Sequence, residues 1–168
     1  MSHPYVRVAR DAIAAWAHGR SYAPPPLPAA LERHQPVFVS LHDAEGRLRG
    51  CVGNLRATRD TLAEEIADTA VLAASRDPRF PPVAAAELPA LAIEVSVLGA
   101  PEPVTDLTTL DPRRWGVVVR RGDRRGVLLP DLDGVDTVEQ QLSIARRKAS
   151  IPPDAPVSVD RFAVEVFR

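Results

Sequence analysis

One stretch of this chain holds the residue types for covalent chemistry. The only cysteine, Cys51, stands in Leu48-Arg-Gly-Cys-Val-Gly53, with Arg49 two positions before it and glycines at 50 and 53. The reacting form of a cysteine is the thiolate, which a neighbouring guanidinium favours. If the stretch is a strand, residues two apart share a face roughly 7 Å from each other, and Arg49 is then placed to lower the pKa of Cys51. Glycines in a strand mark a bulge or the close approach of a backbone or ligand, so Gly50 and Gly53 can turn amides toward an anion. The other reading of Cys51 stays open, a small apolar side chain packed in a sheet.

The strand must be paired before its neighbours can be named. Val37 to His42 alternates as a strand, Asp43 to Gly46 reads as a turn, and a return strand follows from Arg47. Requiring Val37, Val39 and Leu41 to share a face with Leu48, Gly50 and Val52 pairs His42 with Arg47, Ser40 with Arg49 and Phe38 with Cys51. Ser40 and Cys51 then share the opposite face. His42 falls on the order of 13 Å from Cys51, too far for a cysteine–histidine dyad.

The rest of the chain supplies the frame. A helix is expected from about Pro4 to His18, capped by Ser2 and stopped by Gly19, then a proline-broken loop to Pro36. Thr61 and Glu64 cap a second helix ending before Arg76, and Asp136 with Glu139 signals a third that ends in Arg146, Arg147 and Lys148. Leu91 to Gly99 alternates as a strand with Glu94 and Ser96 on one face. Trp115–Arg120 and Arg125–Leu129 form a second hairpin tipped by Gly122 and Asp123, and residues 157–167 read as a closing strand. No internal repeat is evident. Hairpins interrupted by helices, without regular βαβ alternation, predict an α+β fold, mainly antiparallel.

Composition narrows the function classes. The chain has 168 residues with 21 basic and 22 acidic side chains, a net charge of -1, so no global field steers it to nucleic acid or an anionic membrane. One cysteine excludes an internal disulfide, a Cys-x-x-Cys zinc pair and a cysteine-ligated iron–sulfur cluster, and the four histidines lack ligand spacing. The N-terminus has no signal-peptide pattern and no stretch approaches the ~18 apolar residues of a membrane span, so a soluble cytoplasmic protein without cofactor is expected. Arg121-Gly-Asp123 is accounted for by its hairpin tip, and Gly50-Cys-Val-Gly53 does not join two helices as an RNA-binding glycine loop would.

The stretches HPYVRVARDAI, LRGCVG, DPRFPPV, EVSVLGAPEPV and RRGVLLPDLDGVDTVEQQLSIARRKA, in that order within a similarity that runs from about His3 to Phe167, resemble the AMMECR domain family. The resemblance implies a single domain over residues 1–168 with a larger and a smaller lobe in one compact unit, and a cleft near the Arg-Gly-Cys strand. It also implies action beside a Memo-like protein and a radical S-adenosylmethionine enzyme, as protein A of the AmmeMemoRadiSam system, on an unknown small molecule. Its characteristic positions fall here on Arg49, Gly50, Cys51, Gly53, Arg79, Phe80, Glu94, Arg125 and Gly126. Val52, Thr61 and Ser150 depart from the usual isoleucine, proline and glycine. Two function classes follow. In the first, a small enzyme or enzyme component uses Cys51 as nucleophile or covalent carrier, Arg49 as its activator and Glu94 as acid/base or clamp, with Ser40, Gly50, Gly53, Arg79 and Arg125 at the substrate. The second is a non-catalytic small-molecule-binding or scaffold module.

Overall fold

The structure, a computed structural model, describes residues 1–168. In chain order the elements are α1 (Pro4–Ala17), β1 (Val37–His42), β2 (Leu48–Gly53), α2 (Leu62–Ser75), β3 (Ala92–Leu98), β4 (Glu102–Val104), β5 (Gly116–Arg121), β6 (Arg124–Leu128), α3 (Val138–Lys148), β7 (Ser158–Phe162) and β8 (Val164–Phe167). They form two compact units, Met1–Leu98 with Glu165–Arg168, and Gly99–Val164. The fold is α+β, with one four-stranded sheet in the order β2-β1-β3-β8 and another in the order β4-β7-β5-β6.

In the first unit Val37, Val39 and Leu41 of β1 and Ile93, Val95 and Val97 of β3 are buried in one core with Tyr5 and Ile13 of α1 and Leu62, Ile66 and Ala70 of α2. The second unit has its own core, in which Val117 and Val119 of β5, Leu128 of β6 and Val159 of β7 meet Ala145 of α3. Alternation in the strands and the 3.6-residue period in the helices place these side chains inward.

Both units follow one plan. A hairpin is followed by a helix and then by a strand that pairs with the hairpin's first strand, β1-β2-α2-β3 and β5-β6-α3-β7. An Arg-Gly pair recurs at the same place, and both glycines are required by close approach. A Cβ on Gly50 would run into the Ala73 carbonyl of α2, and one on Gly126 into the Ala145 carbonyl of α3. The repeat is in topology and contact, which is why the residue pattern did not disclose it.

Three expectations are corrected. The closing strand is two strands in different sheets, β7 and β8, separated at Ala163. The third helix is capped by Thr137 with Gln140 in a reciprocal box, not by Asp136 with Glu139. The first is capped by His3, whose Nδ1 accepts from the Tyr5 amide at 3.3 Å, not by Ser2.

The His3 cap makes a pH prediction. Its ring lies 4.4 Å from that of Phe167 on β8, and its pKa is lowered from the ordinary 6.5, first by burial, then by Arg7 and Arg33. A depressed imidazole contributes stability that is complete above about 6.5 and is lost as pH falls below it, because the unfolded chain then binds the proton more readily. Denaturation midpoints measured from pH 8 to 5 should therefore fall in the wild type. His3→Ser, which puts a hydroxyl oxygen in place of the ring nitrogen as cap acceptor but does not titrate, should show a shallower fall.

Candidate active site around Cys51

Cys51 lies on β2, an edge strand, directly opposite Ser40 of β1, and Ser40 in turn lies opposite Glu94 of β3. The three form a row across the sheet, with Cys51 and Glu94 two strand spacings, roughly 10 Å, apart. The Ser40 hydroxyl donates to Cys51 Sγ at 3.2 Å. The expected pairing of Phe38 with Cys51 is corrected, since Phe38 faces Gly53 and a bulge falls where His42 meets Leu48 and Leu41 meets Gly50. From Phe38 to Leu41 the pairing moved by two residues, which keeps those side chains on their expected face, whereas beyond the bulge His42 meets Leu48 in place of the expected Arg47, and Leu48, expected on the apolar face, is exposed. The bulge leaves Arg49 as the extra residue on β2.

That bulge aims Arg49 at the segment following α2. Its Nε and Nη2 bond Glu87 Oε1 and Oε2 at 2.8 and 3.1 Å, and its Nη1 bonds the Pro81 carbonyl at 2.8 Å. Glu87 is held below the ordinary carboxylate value, first by these Arg49 bonds. Arg49 thus fastens the 81–87 segment to the edge strand.

The group that reaches Cys51 is one the sequence reading passed over. Asp77, just after α2, is only 5% exposed, and its Oδ2 accepts from the Cys51 amide at 2.9 Å. The same oxygen accepts from Arg79 Nη2 at 2.8 Å, while Oδ1 accepts from the Arg79 amide and Nε, both at 3.0 Å. Bonds from the Arg79 side chain, helped by the Cys51 amide and opposed by burial, hold the Asp77 carboxyl well below its ordinary range. Arg79 is raised above its ordinary value first by the bonds to Asp77, and then by the charges of Asp77 and Cys51. Its side chain remains 56% exposed and lies over the Phe80 ring at 5.4 Å. The Asp-Pro-Arg sequence carries the missed signal, because an aspartate bonding the amide two residues on is an Asx-turn.

The remaining candidates are placed as follows. Glu94 is ion-paired with Arg168 at 2.8 Å. Gly50 faces the Ala73 carbonyl, and the space above Gly53 is filled by the Phe38 ring. Arg125 lies in the second unit on β6, opposite Arg120 and exposed. The structure therefore brings Ser40, Cys51, Asp77 and Arg79 together, with Arg49 bracing the 81–87 segment that follows Arg79. Chemically the group offers a thiol, a hydroxyl donor and one accessible cation. Asp77 and Glu87 are already occupied by arginines, so the carboxylates here are poorly disposed to ligate a metal.

This α+β fold is that of a known family. Residues 6–167 match the family described as AMMECR1, and the chain belongs to it. A Thermotoga maritima protein is 47% identical over 170 residues, covering 99% of this chain and 98% of its own. A Clostridium acetobutylicum protein is 39% identical over 165 residues, covering 96% of this chain but only 35% of that longer one. The crystal structure of an uncharacterised Pyrococcus horikoshii protein superposes with a TM-score of 0.87 at 33% identity, covering 96% of this chain and 88% of that one. No helix is long and apolar enough to cross a membrane.

Proposed function

We propose that the chain is a small cytoplasmic enzyme, or a component of one, in which Cys51 acts as nucleophile or covalent carrier and Arg79 is the counter-charge of its thiolate. The observation that carries this reading is the shared oxygen Asp77 Oδ2, which binds the Cys51 amide and the Arg79 guanidinium at once. Through it Arg79 Nη2 can lie no farther from that amide than the two bonds end to end. Attraction between unlike charges is mutual, so a guanidinium held there favours ionised sulfur. The Ser40 hydroxyl adds a hydrogen bond to Sγ. Arg49 takes the part of a positioning residue through Glu87, and Glu94, one strand beyond Ser40, that of acid/base or clamp. The exposed part of Arg79 suits a substrate with an anionic group.

Its proposed setting is alongside a Memo-like protein and a radical S-adenosylmethionine enzyme. That the Clostridium acetobutylicum relative carries the matching stretch within a much longer chain supports work beside another module. A scaffold or small-molecule-binding role is the second reading, favoured by Gly50 and Gly53, whose presence the contacts with Ala73 and Phe38 already explain.

Complementation of a strain lacking the gene separates the two. Under the first reading the wild type restores growth or product and Cys51→Ser does not, although both accumulate as folded protein. Full rescue by Cys51→Ser would remove the nucleophile and leave the scaffold.

A further inference from the structure

We propose that the basic end of the second unit docks a segment of a partner protein that is both acidic and aliphatic. Arg121 and Arg124 stand directly opposite each other beside the β5–β6 turn, both exposed. Like charges facing across a strand pair are unfavourable, and their nearest partners are neutral. Arg121 donates to the Pro156 carbonyl at 3.1 Å and Arg124 to that of Ser150 at 2.7 Å, which satisfies hydrogen bonds but leaves the charge. The end of α3 adds Arg146, Arg147 and Lys148, and the Lys148 ammonium donates to the Val127 carbonyl of β6 at 2.7 Å, which fixes helix end and hairpin together. Nearby acids are fewer, Asp123 in the turn and Asp154 in the loop after α3, whereas Asp131, Asp133, Asp136 and Glu139 precede or begin that helix. Compensation of the helix dipole accounts for the cations of α3 but not for the arginine pair of the hairpin.

Beside these cations runs a groove of about 380 Å³, lined by Leu142, Ile151 and Pro153 with Ser143, Arg146 and Arg147, and by Glu139 toward the start of α3. It is large enough for aliphatic side chains, with guanidiniums at one end to meet carboxylates. No aromatic ring lines it, so a nucleic-acid base would find no stacking platform. The chain's net charge of -1 likewise gives a polyanion no general attraction. An acidic peptide carrying leucines matches both the charge and the apolar floor.

The test is fluorescence anisotropy of a labelled peptide of alternating glutamate and leucine, titrated with the full chain. Saturable binding is expected that weakens with added salt and falls about tenfold or more in Arg121→Glu/Arg124→Glu and in Arg147→Glu. Arg147, whose side chain makes no hydrogen bond or ion pair, serves as the informative variant if the double substitution does not fold. A glutamate and serine peptide should lose most of the affinity. Absence of saturable binding, equal binding of the serine peptide, unchanged affinity in the Arg147→Glu variant, or tighter binding of single-stranded DNA than of the Glu/Leu peptide would each overturn the proposal.

Discussion

Gly126→Ala should destabilise the second unit by about 3 kcal/mol, the upper part of what overpacking a core costs. The methyl group would meet the Ala145 carbonyl of α3, a backbone atom fixed by its helix, so relief requires moving α3 off the sheet. That movement opens the core around Val119, Leu128 and Ala145, which are packed at the density of a crystal. Gly50→Ala should do the same to the first unit against Ala73. The two tryptophans report separately, Trp16 from α1 in the first unit and Trp115 beside β5 in the second. Gly126→Ala should lower the urea midpoint seen by Trp115, and Gly50→Ala that seen by Trp16, each with little change in slope. Gly19, where a methyl would enter open space at φ 67, is the control, with a cost of only about 1–2 kcal/mol from its left-handed backbone. Wild-type midpoints for both close-contact variants would show that the strand–helix approach is not what holds these glycines.

Asp77→Ala should cost about 1–3 kcal/mol at neutral pH, the penalty for a buried hydrogen-bonding group left without its partner. Four donors lose their acceptor at once, the amides of Cys51 and Arg79 and two nitrogens of the Arg79 side chain. The cost should also depend on pH, with a definite sign. The folded state depresses the Asp77 carboxyl below its ordinary 3.8, so its contribution is complete above that value and is lost as pH falls toward the folded one. Stability curves of wild type and Asp77→Ala should therefore be separated at pH 7 and converge in acid. A constant separation down to pH 2 would mean that the bonds to Asp77 do not require its charge.

How much of this was visible in the residues depends on what each signal measures. Hydrophobic alternation and caps located β1, β3, α2 and the β5–β6 hairpin closely, because both report local geometry. Alternation also put Ser40 and Cys51 on one face. It could not distinguish pairings that differ by two residues, nor show the one residue inserted at Arg49, and so the bonds of Arg49 to Glu87 stayed hidden. In residues 157–167 the apolar positions change phase across Asp160 and Arg161, from 157 and 159 to 162, 164 and 166, but that break does not fall at Ala163, where the two sheets divide. Asp77 lies in a proline-rich loop where periodicity is silent, and its importance comes from a bond to a strand 26 residues earlier. Glu94 could be placed on a polar face by alternation, but its position one strand beyond Ser40 needed the sheet order β2-β1-β3.

The most direct test of a reactive Cys51 partnered by Arg79 is the rate of its alkylation by iodoacetamide as a function of pH, followed by intact mass. The account predicts an inflexion clearly below the ordinary thiol value of about 8.5, moving upward in Arg79→Gln by about one unit, while Arg49→Gln shifts it less. An inflexion at or above about 8.5 in the wild type, unmoved by Arg79→Gln, would contradict it and leave Cys51 as a packed side chain of an edge strand.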